Sequence, residues 1–203
     1  MQIFTELSKC SRTSARTGIV TTARGEIKTP VFMPVGTLAT VKSVSVEELK
    51  TCGAQIILGN TYHLYLRPGC QVVSRMKGLH RFMNWELPIL TDSGGFQFFS
   101  LAELSRFTDD GVAFQSHIDG SRHFFTPEKA VEIQSVLGSD IMMSLDWCIG
   151  HPADRSSTMD ALKKTTMWAK RGMEFWKGAG SPNALFAIVQ GGMYKELRAL
   201  SAG

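Results

Sequence analysis

The chain has 203 residues, 43% of them hydrophobic, enough to bury a sizeable core in one large domain or in part of a larger one. No apolar run approaches the length of a membrane span, and Met1-Gln2-Ile3-Phe4 gives way to Glu6 and Lys9 rather than to a signal core. A net charge of +4 permits a nucleic-acid partner without demanding one, and four scattered cysteines (Cys10, Cys52, Cys70, Cys148) with no CxxC pair favour neither a disulfide framework nor a zinc ribbon, so a reducing cytoplasm is the expected setting.

Residues 12 to 29 read as short extended pieces punctuated by Gly18 and Gly25, a small hairpin leading into the body of the fold. Val31-Phe32-Met33 reads as an apolar strand stopped by Pro34 and Gly36. A helix start follows, with Ser45 as cap, Glu48 reaching back to it, and Val44 and Leu49 flanking the cap as a staple. Four later apolar runs then repeat one phrase. Gln55-Ile56-Ile57-Leu58 ends at Gly59-Asn60, and Pro88-Ile89-Leu90-Thr91 ends at Asp92. Ile141-Met142-Met143-Ser144-Leu145 ends at Asp146, and Leu185-Phe186-Ala187-Ile188-Val189 ends at Gln190. Continuous rather than alternating apolarity fits strands covered on both faces, as in a parallel sheet with helical crossovers.

Between the second and third of these runs, Val112 to Phe124 predicts an inserted hairpin around Asp119-Gly120. Thr126-Pro127-Glu128 opens a helix with a cap, a first-turn proline and a first-turn acid; Ala130, Ile133, Gln134 and Leu137 follow at helical spacing until Gly138 stops it. Farther on, Met159, Leu162, Thr166, Ala169, Met173 and Trp176 recur in steps of three and four. They predict an amphipathic helix with that stripe on the core and its lysines and Arg171 mostly off it.

Strand–helix repetition allows an open doubly wound sheet or a closed barrel. No GxGxxG follows an early strand, and side chains able to bind or react stand after four successive strands, which suits the loops at one mouth of a (β/α)8 TIM barrel. Five parallel strands are expected against the eight of a full barrel of about 250 residues. Residues 1–203 therefore read as the N-terminal portion of an incomplete barrel with insertions, whose open strand edges favour poor solubility or assembly with another chain.

At the candidate mouth, Asp92 in LTDSGGFQ has two readings: an acid bonded to the following backbone turn, or a chemical group. Gly94 and Gly95 leave room for a planar ligand near the backbone, and Phe96 offers either a stacking face or a core side chain. Asp146 in SLDWC is a helix cap or loop acid, or it accepts two hydrogen bonds from an amidine-like edge such as that of guanine. Gln190 in VQGG can donate and accept, and its meaning comes from standing in series with Asp92 and Asp146. Asn60 supports Asp92 or serves structure. Cys148 reads as buried rather than nucleophilic, and His117, His123 and His151 lack metal-ligand spacing. Asp109, Asp110 and Asp119 fall near the insertion and are poor catalytic choices. The residues thus predict a pocket for a flat polar ring with an incomplete catalytic set: a displacement at a ribose carbon needs a further carboxylate.

TPVFMPVGT (29–37), ILGNTYHLYLRPG (57–69), LTDSGGFQ (90–97), FTPEKAVEIQ (125–134) and AIVQGG (187–192), in this order, resemble the bacterial tRNA-guanine transglycosylases, or queuine tRNA-ribosyltransferases. The resemblance covers nearly all of this chain and about the first half of a typical member. It implies a cytoplasmic pentosyltransferase of queuosine biosynthesis. Such an enzyme exchanges guanine at the wobble position of tRNAs for Asn, Asp, His and Tyr for 7-aminomethyl-7-deazaguanine (preQ1), through a covalent ribosyl-enzyme intermediate. It further implies a proton-accepting role for Asp92, a stacking role for Phe96, base reading by Asp146 and Gln190, and a pocket lined by Ser93, Gly94 and Gly95. A homodimer and a structural Zn2+ held by three cysteines and a histidine beyond residue 203 are implied as well, as is a nucleophilic aspartate in that second half. The chain alone is accordingly expected to be inactive. Asp146-Trp147-Cys148-Ile149-Gly150-His151-Pro152 departs from the family's usual sequence, and Trp147 and His151 are expected at the pocket rim. The competing readings are a non-catalytic or truncated tRNA-binding accessory chain, and a small-molecule barrel hydrolase.

Overall fold

The computed structural model describes residues 3–203; Met1 and Gln2, which entered the reading of the N-terminus, lie outside them. In chain order the elements are β1 (Phe4–Lys9), β2 (Arg16–Thr22), β3 (Gly25–Thr29), α1 (Val46–Thr51), β4 (Ile57–Gly59), α2 (Thr61–Leu66), α3 (Cys70–Arg75), α4 (Leu79–Met83) and β5 (Ile89–Thr91). They continue with α5 (Gly95–Ser100), a 3-10 turn (Ala102–Leu104), β6 (Ser105–Phe107), β7 (Val112–Gln115), β8 (Arg122–Phe125), α6 (Pro127–Leu137), β9 (Ile141–Met143), α7 (Arg155–Gly178), β10 (Ala184–Phe186) and α8 (Lys195–Ala202).

The centre is a four-stranded, all-parallel sheet in the order β10-β9-β5-β4. Its strands are the four apolar runs, and their continuity has the expected cause, because apolar groups cover both faces. Ile57 and Ile89 join a large cluster with Tyr62, Phe98, Leu137 and Trp168, whereas Ile56, Leu90 and Ile141 meet Ile27 of β3 on the other side. Each such fully buried side chain stabilises the fold by about 1.5–3 kcal/mol before entropy is set against it. The architecture is mixed α/β, and the antiparallel meander β1-β2-β3 contains the expected hairpin. β1 had no sequence signal because its side chains are almost all exposed, leaving no apolar alternation to read.

The strand expected at Val31–Met33 does not form. Pairing is reduced to one parallel bridge from Val35 to Leu58, supported by Leu58 N–H to Pro34 O at 2.9 Å and Gly36 N–H to Leu58 O at 2.7 Å. Pro30 and Pro34 bracket the run and remove two amide donors that a ladder would use. The inserted hairpin is present as β7-β8, with β6 added as a third antiparallel strand.

Local signals placed the helix ends well. Ser45 and Glu48 form a reciprocal capping box on α1, Thr126 caps α6 by accepting from Lys129 N–H, and Gly138 ends α6. The face of α7 differs from expectation. Thr158, Ala161, Leu162, Thr165, Trp168 and Gly172 are buried, one residue out of step with the Met159–Trp176 stripe, of which only Leu162 is buried. Small residues explain the rotation: they let α7 approach α6 closely, with Gly172 against Val131 and the backbone of Pro127. Trp168 anchors that face through Nε1–H to Asp109 O at 2.7 Å, and Arg171 holds Glu128 with two hydrogen bonds.

Candidate functional site

Parallel strands place their C-terminal ends along one edge, so Asn60 after β4, Asp92 after β5 and Asp146 after β9 come from neighbouring strands. Gln190, four residues past β10, arrives at the same edge and reaches Asp146.

Asp92 is held by four donors. Thr61 N–H and Gly94 N–H reach Oδ1 at 2.9 and 3.2 Å; Asn60 Nδ2 and Gln97 Nε2 reach Oδ2, the latter at 3.2 Å. The acid closes the TDSGG turn through Gly94, as its structural reading expects, and it is also held by Asn60 and Thr61 after β4 and by Gln97 of α5. Asn60 precedes α2 but makes no side-chain cap there, since its amide is spent on Asp92. Burial pushes the Asp92 carboxyl above the ordinary aspartate range, and the four hydrogen bonds pull against that shift.

Asp146 is 8% exposed and caps no helix, because Asp154 caps α7. Ser93 Oγ donates to its Oδ1 at 3.2 Å; Cys148 Sγ–H and Gln190 Nε2–H donate to Oδ2 at 3.3 and 3.1 Å. Burial raises this carboxyl as well, against the hydrogen bonds of Cys148 and Ser93, and the negative charge of Asp92 adds to the rise. Cys148 is half-buried, and burial followed by the Asp146 charge drives its thiol strongly upward, so the sulfur is a neutral donor rather than a nucleophile.

The glycines serve the protein before any ligand. A β-carbon on Gly95 would collide with Asp146 Oδ1 and approach the Asp146 carbonyl, so the bare backbone is what lets this carboxylate sit against α5. Gly191 likewise admits the backbone of α8 at Leu197 and Arg198. Phe96 is 62% exposed, which excludes the core reading for its ring. It shares the wall of a cavity of about 670 Å³ with Phe99, Cys148, His151, Gln190 and Tyr194. Asp92 and Asp146 are not on that wall; both carboxylates are engaged with protein donors, and Asp146 meets the wall through Cys148 and Gln190. The site thus offers an aromatic face and an amide to the cavity, with a desolvated carboxylate directly bonded to that amide.

A sequence model of the queuine tRNA-ribosyltransferase family matches residues 10–203. The chain belongs to this family. It is 69% identical over 202 residues to the queuine tRNA-ribosyltransferase of Desulforapulum autotrophicum, of which it covers 55%. The protein of that name from Desulfosudis oleivorans is 60% identical across 98% of this chain and 53% of its own length. For Thermoanaerobacter pseudethanolicus the identity is 60%, over 95% of this chain and 51% of the relative. The chain spans about half the length of the curated relatives it matches.

The residues present do not fit the zinc ion expected in the family. Among the described residues no group of three or more His, Cys, Asp and Glu side chains is placed to hold a metal. Cys10 and Cys52 are exposed, and His117 and His123 are engaged by the hydroxyls of Tyr62 and Tyr65 at 3.0 and 3.1 Å. No helix among the described residues is long and apolar enough to cross a membrane. Of the two expected rim residues, His151 lies on the cavity wall, but Trp147 does not: it stacks on Phe107 and Trp168, with Lys164 Nζ 4.3 Å from its ring centre. Asp109 and Asp110 pair with Lys164 and Arg171, and Asp119 bonds Ser121, all at the insertion.

Gln97, Thr61 and the thiol of Cys148 were missed as members of the site. Gln97 and Thr61 stand within the motifs that carried the resemblance, five residues after Asp92 and one after Asn60. Gln97 lies in the first turn of α5, and its amide reaches back to the Asp92 carboxylate.

Proposed function

We propose that this chain is the base-binding half of a tRNA-guanine transglycosylase, which exchanges guanine at the anticodon wobble position for preQ1. The observation that carries the reading is the hydrogen-bonded pair Asp146–Gln190 beside the exposed ring of Phe96. An ionised Asp146 offers two oxygens to the N1–H and the exocyclic amine of a guanine-like edge, while Gln190 turns its amide from Asp146 to the O6 carbonyl. Phe96 stacks on the ring, and a desolvated site strengthens each of these contacts. Asp92, raised by burial yet held in place by four donors, accepts the N9 proton of the incoming base as its new bond to ribose forms.

The ribosyl group passes through a covalent bond to a carboxylate supplied by the part of the full-length protein that this chain does not span. The proposal extends to a (β/α)8 barrel completed by that part, to its structural zinc, to a homodimer, and to cytoplasmic tRNAs for Asn, Asp, His and Tyr as substrates. Family membership supports each of these.

The test uses the full-length protein with labelled guanine and tRNA. Asp92→Asn is expected to lower exchange about 100-fold or more while guanine affinity, measured by calorimetry, stays within about threefold. Undiminished exchange by Asp92→Asn would remove this acid from the chemistry. Tight tRNA binding with no exchange by the unaltered protein would favour the accessory reading.

A further inference from the structure

The inserted hairpin β7-β8, which base reading leaves without a role, reaches Asp92 through two helices. α2 holds one side of that carboxylate, through Asn60 just before it and Thr61 N–H at its start. α5 holds the other side through Gln97. Neither helix keeps its place unaided. Each has six residues and no side-chain cap, well short of the roughly 12–15 residues at which an isolated helix becomes even marginal in water. Both lie against the hairpin. Phe114 of β7 packs on Tyr62 of α2 and on Phe98 of α5, with ring centres 5.3 and 4.9 Å apart, and Tyr62 meets Phe98 edge-on at 5.5 Å. All three rings are buried, and a β-carbon on Gly94, a further donor to Asp92, would touch both Tyr62 and Phe98.

Apolar packing is non-directional, so it fixes how close the hairpin lies but not how α2 is turned. Direction comes from two tyrosine–histidine hydrogen bonds. The Tyr62 hydroxyl meets His117 Nδ1 at 3.0 Å, with the two rings stacked at 5.7 Å. Three residues on, the Tyr65 hydroxyl meets His123 Nδ1 at 3.1 Å, and Ser121 Oγ holds the other ring nitrogen of His123 at 2.7 Å. Tyr62 directly follows Thr61, the backbone donor to Asp92. We propose that Tyr62 and His117 are positioning residues for Asp92, and that the inserted hairpin keeps the α2 side of its grip in register. The inference rests on the proposed role of Asp92 as proton acceptor and deepens it.

The donors from Asn60 and Thr61 favour the ionised carboxylate, the form able to accept a proton, while burial opposes them. A hairpin that releases α2 lets those donors drift, burial then weighs more, and the carboxyl titrates at higher pH. The titratable groups nearest this grip are His63 of α2, edge-on to His117 at 5.8 Å, and Asp146 at the end of β9.

The test uses the full-length protein. Tyr62→Phe removes one hydroxyl and keeps the buried ring, and His117→Ala alters an exposed turn residue. Each is expected to lower kcat for guanine exchange about fivefold or more, with guanine affinity within about twofold. Each should also move the acid limb of the kcat–pH profile to higher pH. His117→Asn, whose amide can take the place of Nδ1, should restore both. The Asp92 carboxyl is followed directly by carbon NMR on protein labelled at aspartate carboxyls, its signal assigned by its loss in Asp92→Asn. Its midpoint should rise in Tyr62→Phe. The inference is overturned if both variants keep an unaltered kcat and acid limb. It is equally overturned if activity falls only with the folded fraction while limb and midpoint stay put, which would leave the hairpin a purely structural part. Undiminished exchange by Asp92→Asn would remove the acid from the chemistry; the NMR midpoint then decides the link, a rise upholding it and no change overturning it.

Discussion

Gln190 donates its amide Nε2–H to Asp146 Oδ2 at 3.1 Å, joining the ends of two adjacent parallel strands across 44 residues of sequence. In the free protein the bond holds the carboxylate in one orientation and keeps the amide beside it, ready to turn. Gln190→Ala is expected to weaken guanine binding at least tenfold, about 1.4 kcal/mol, the scale of one hydrogen bond to a charged group. Because the side chain sits at a cavity wall, unfolding free energy should move by less than about 0.5 kcal/mol. Calorimetry and urea melts on the same preparation separate the two effects.

Proton linkage follows from the direction of the Asp146 shift. Burial raises the folded-state carboxyl pKa, and only the ionised form can accept two donors from a base edge. Guanine affinity should be full above that raised value and fall as pH drops through it, approaching tenfold per pH unit at the acid limit. The decline begins at a higher pH than an ordinary, exposed aspartate would give. Titrations downward from about pH 8 should show it, and Asp146→Asn should flatten the profile while lowering affinity throughout.

Gly95→Ala should act on the same carboxylate by collision rather than by charge. The added methyl group occupies the place of Asp146 Oδ1, so the acid must leave its position. A loss of about 1–3 kcal/mol in stability together with loss of guanine binding is expected. Gly178→Ala, with open space around it at the end of α7, is the control and should be neutral or slightly stabilising.

At the opposite end of the sheet, Asp140 ties three segments together. It accepts from Ile89 N–H and faces His80 Nε2, both at 2.9 Å, with Arg24 Nε at 3.5 Å. Asp140→Ala leaves a buried amide and imidazole without their partner and should cost about 3 kcal/mol in denaturant melts, with guanine affinity of the folded fraction unchanged.

Caps, strand cores and strand-end residues were legible in the sequence because their causes are local. Ser45 and Glu48 satisfy amides within one turn, and the continuous apolarity of Ile56–Leu58 or Ile141–Met143 records cover on two faces. Once parallel strands were expected, Asp92, Asp146 and Gln190 had to lie along one edge. Their companions were harder to read, since Gln97, Thr61 and Cys148 acquire a role only through the direction in which their side chains leave the backbone.

By itself the sequence determined the chain order of the four central strands and of α1, α6 and α7, the family, and which residues stand at the strand ends. Only the tertiary structure decided that Gln190 bonds Asp146, that Gly95 makes room for a carboxylate, and which of two apolar arcs of α7 is buried. The reason is physical: periodicity reports that a surface is apolar, but which neighbour covers it depends on how closely two helices can approach. On α7 that was set by Thr158, Ala161 and Gly172, small side chains whose importance lies in the space they leave.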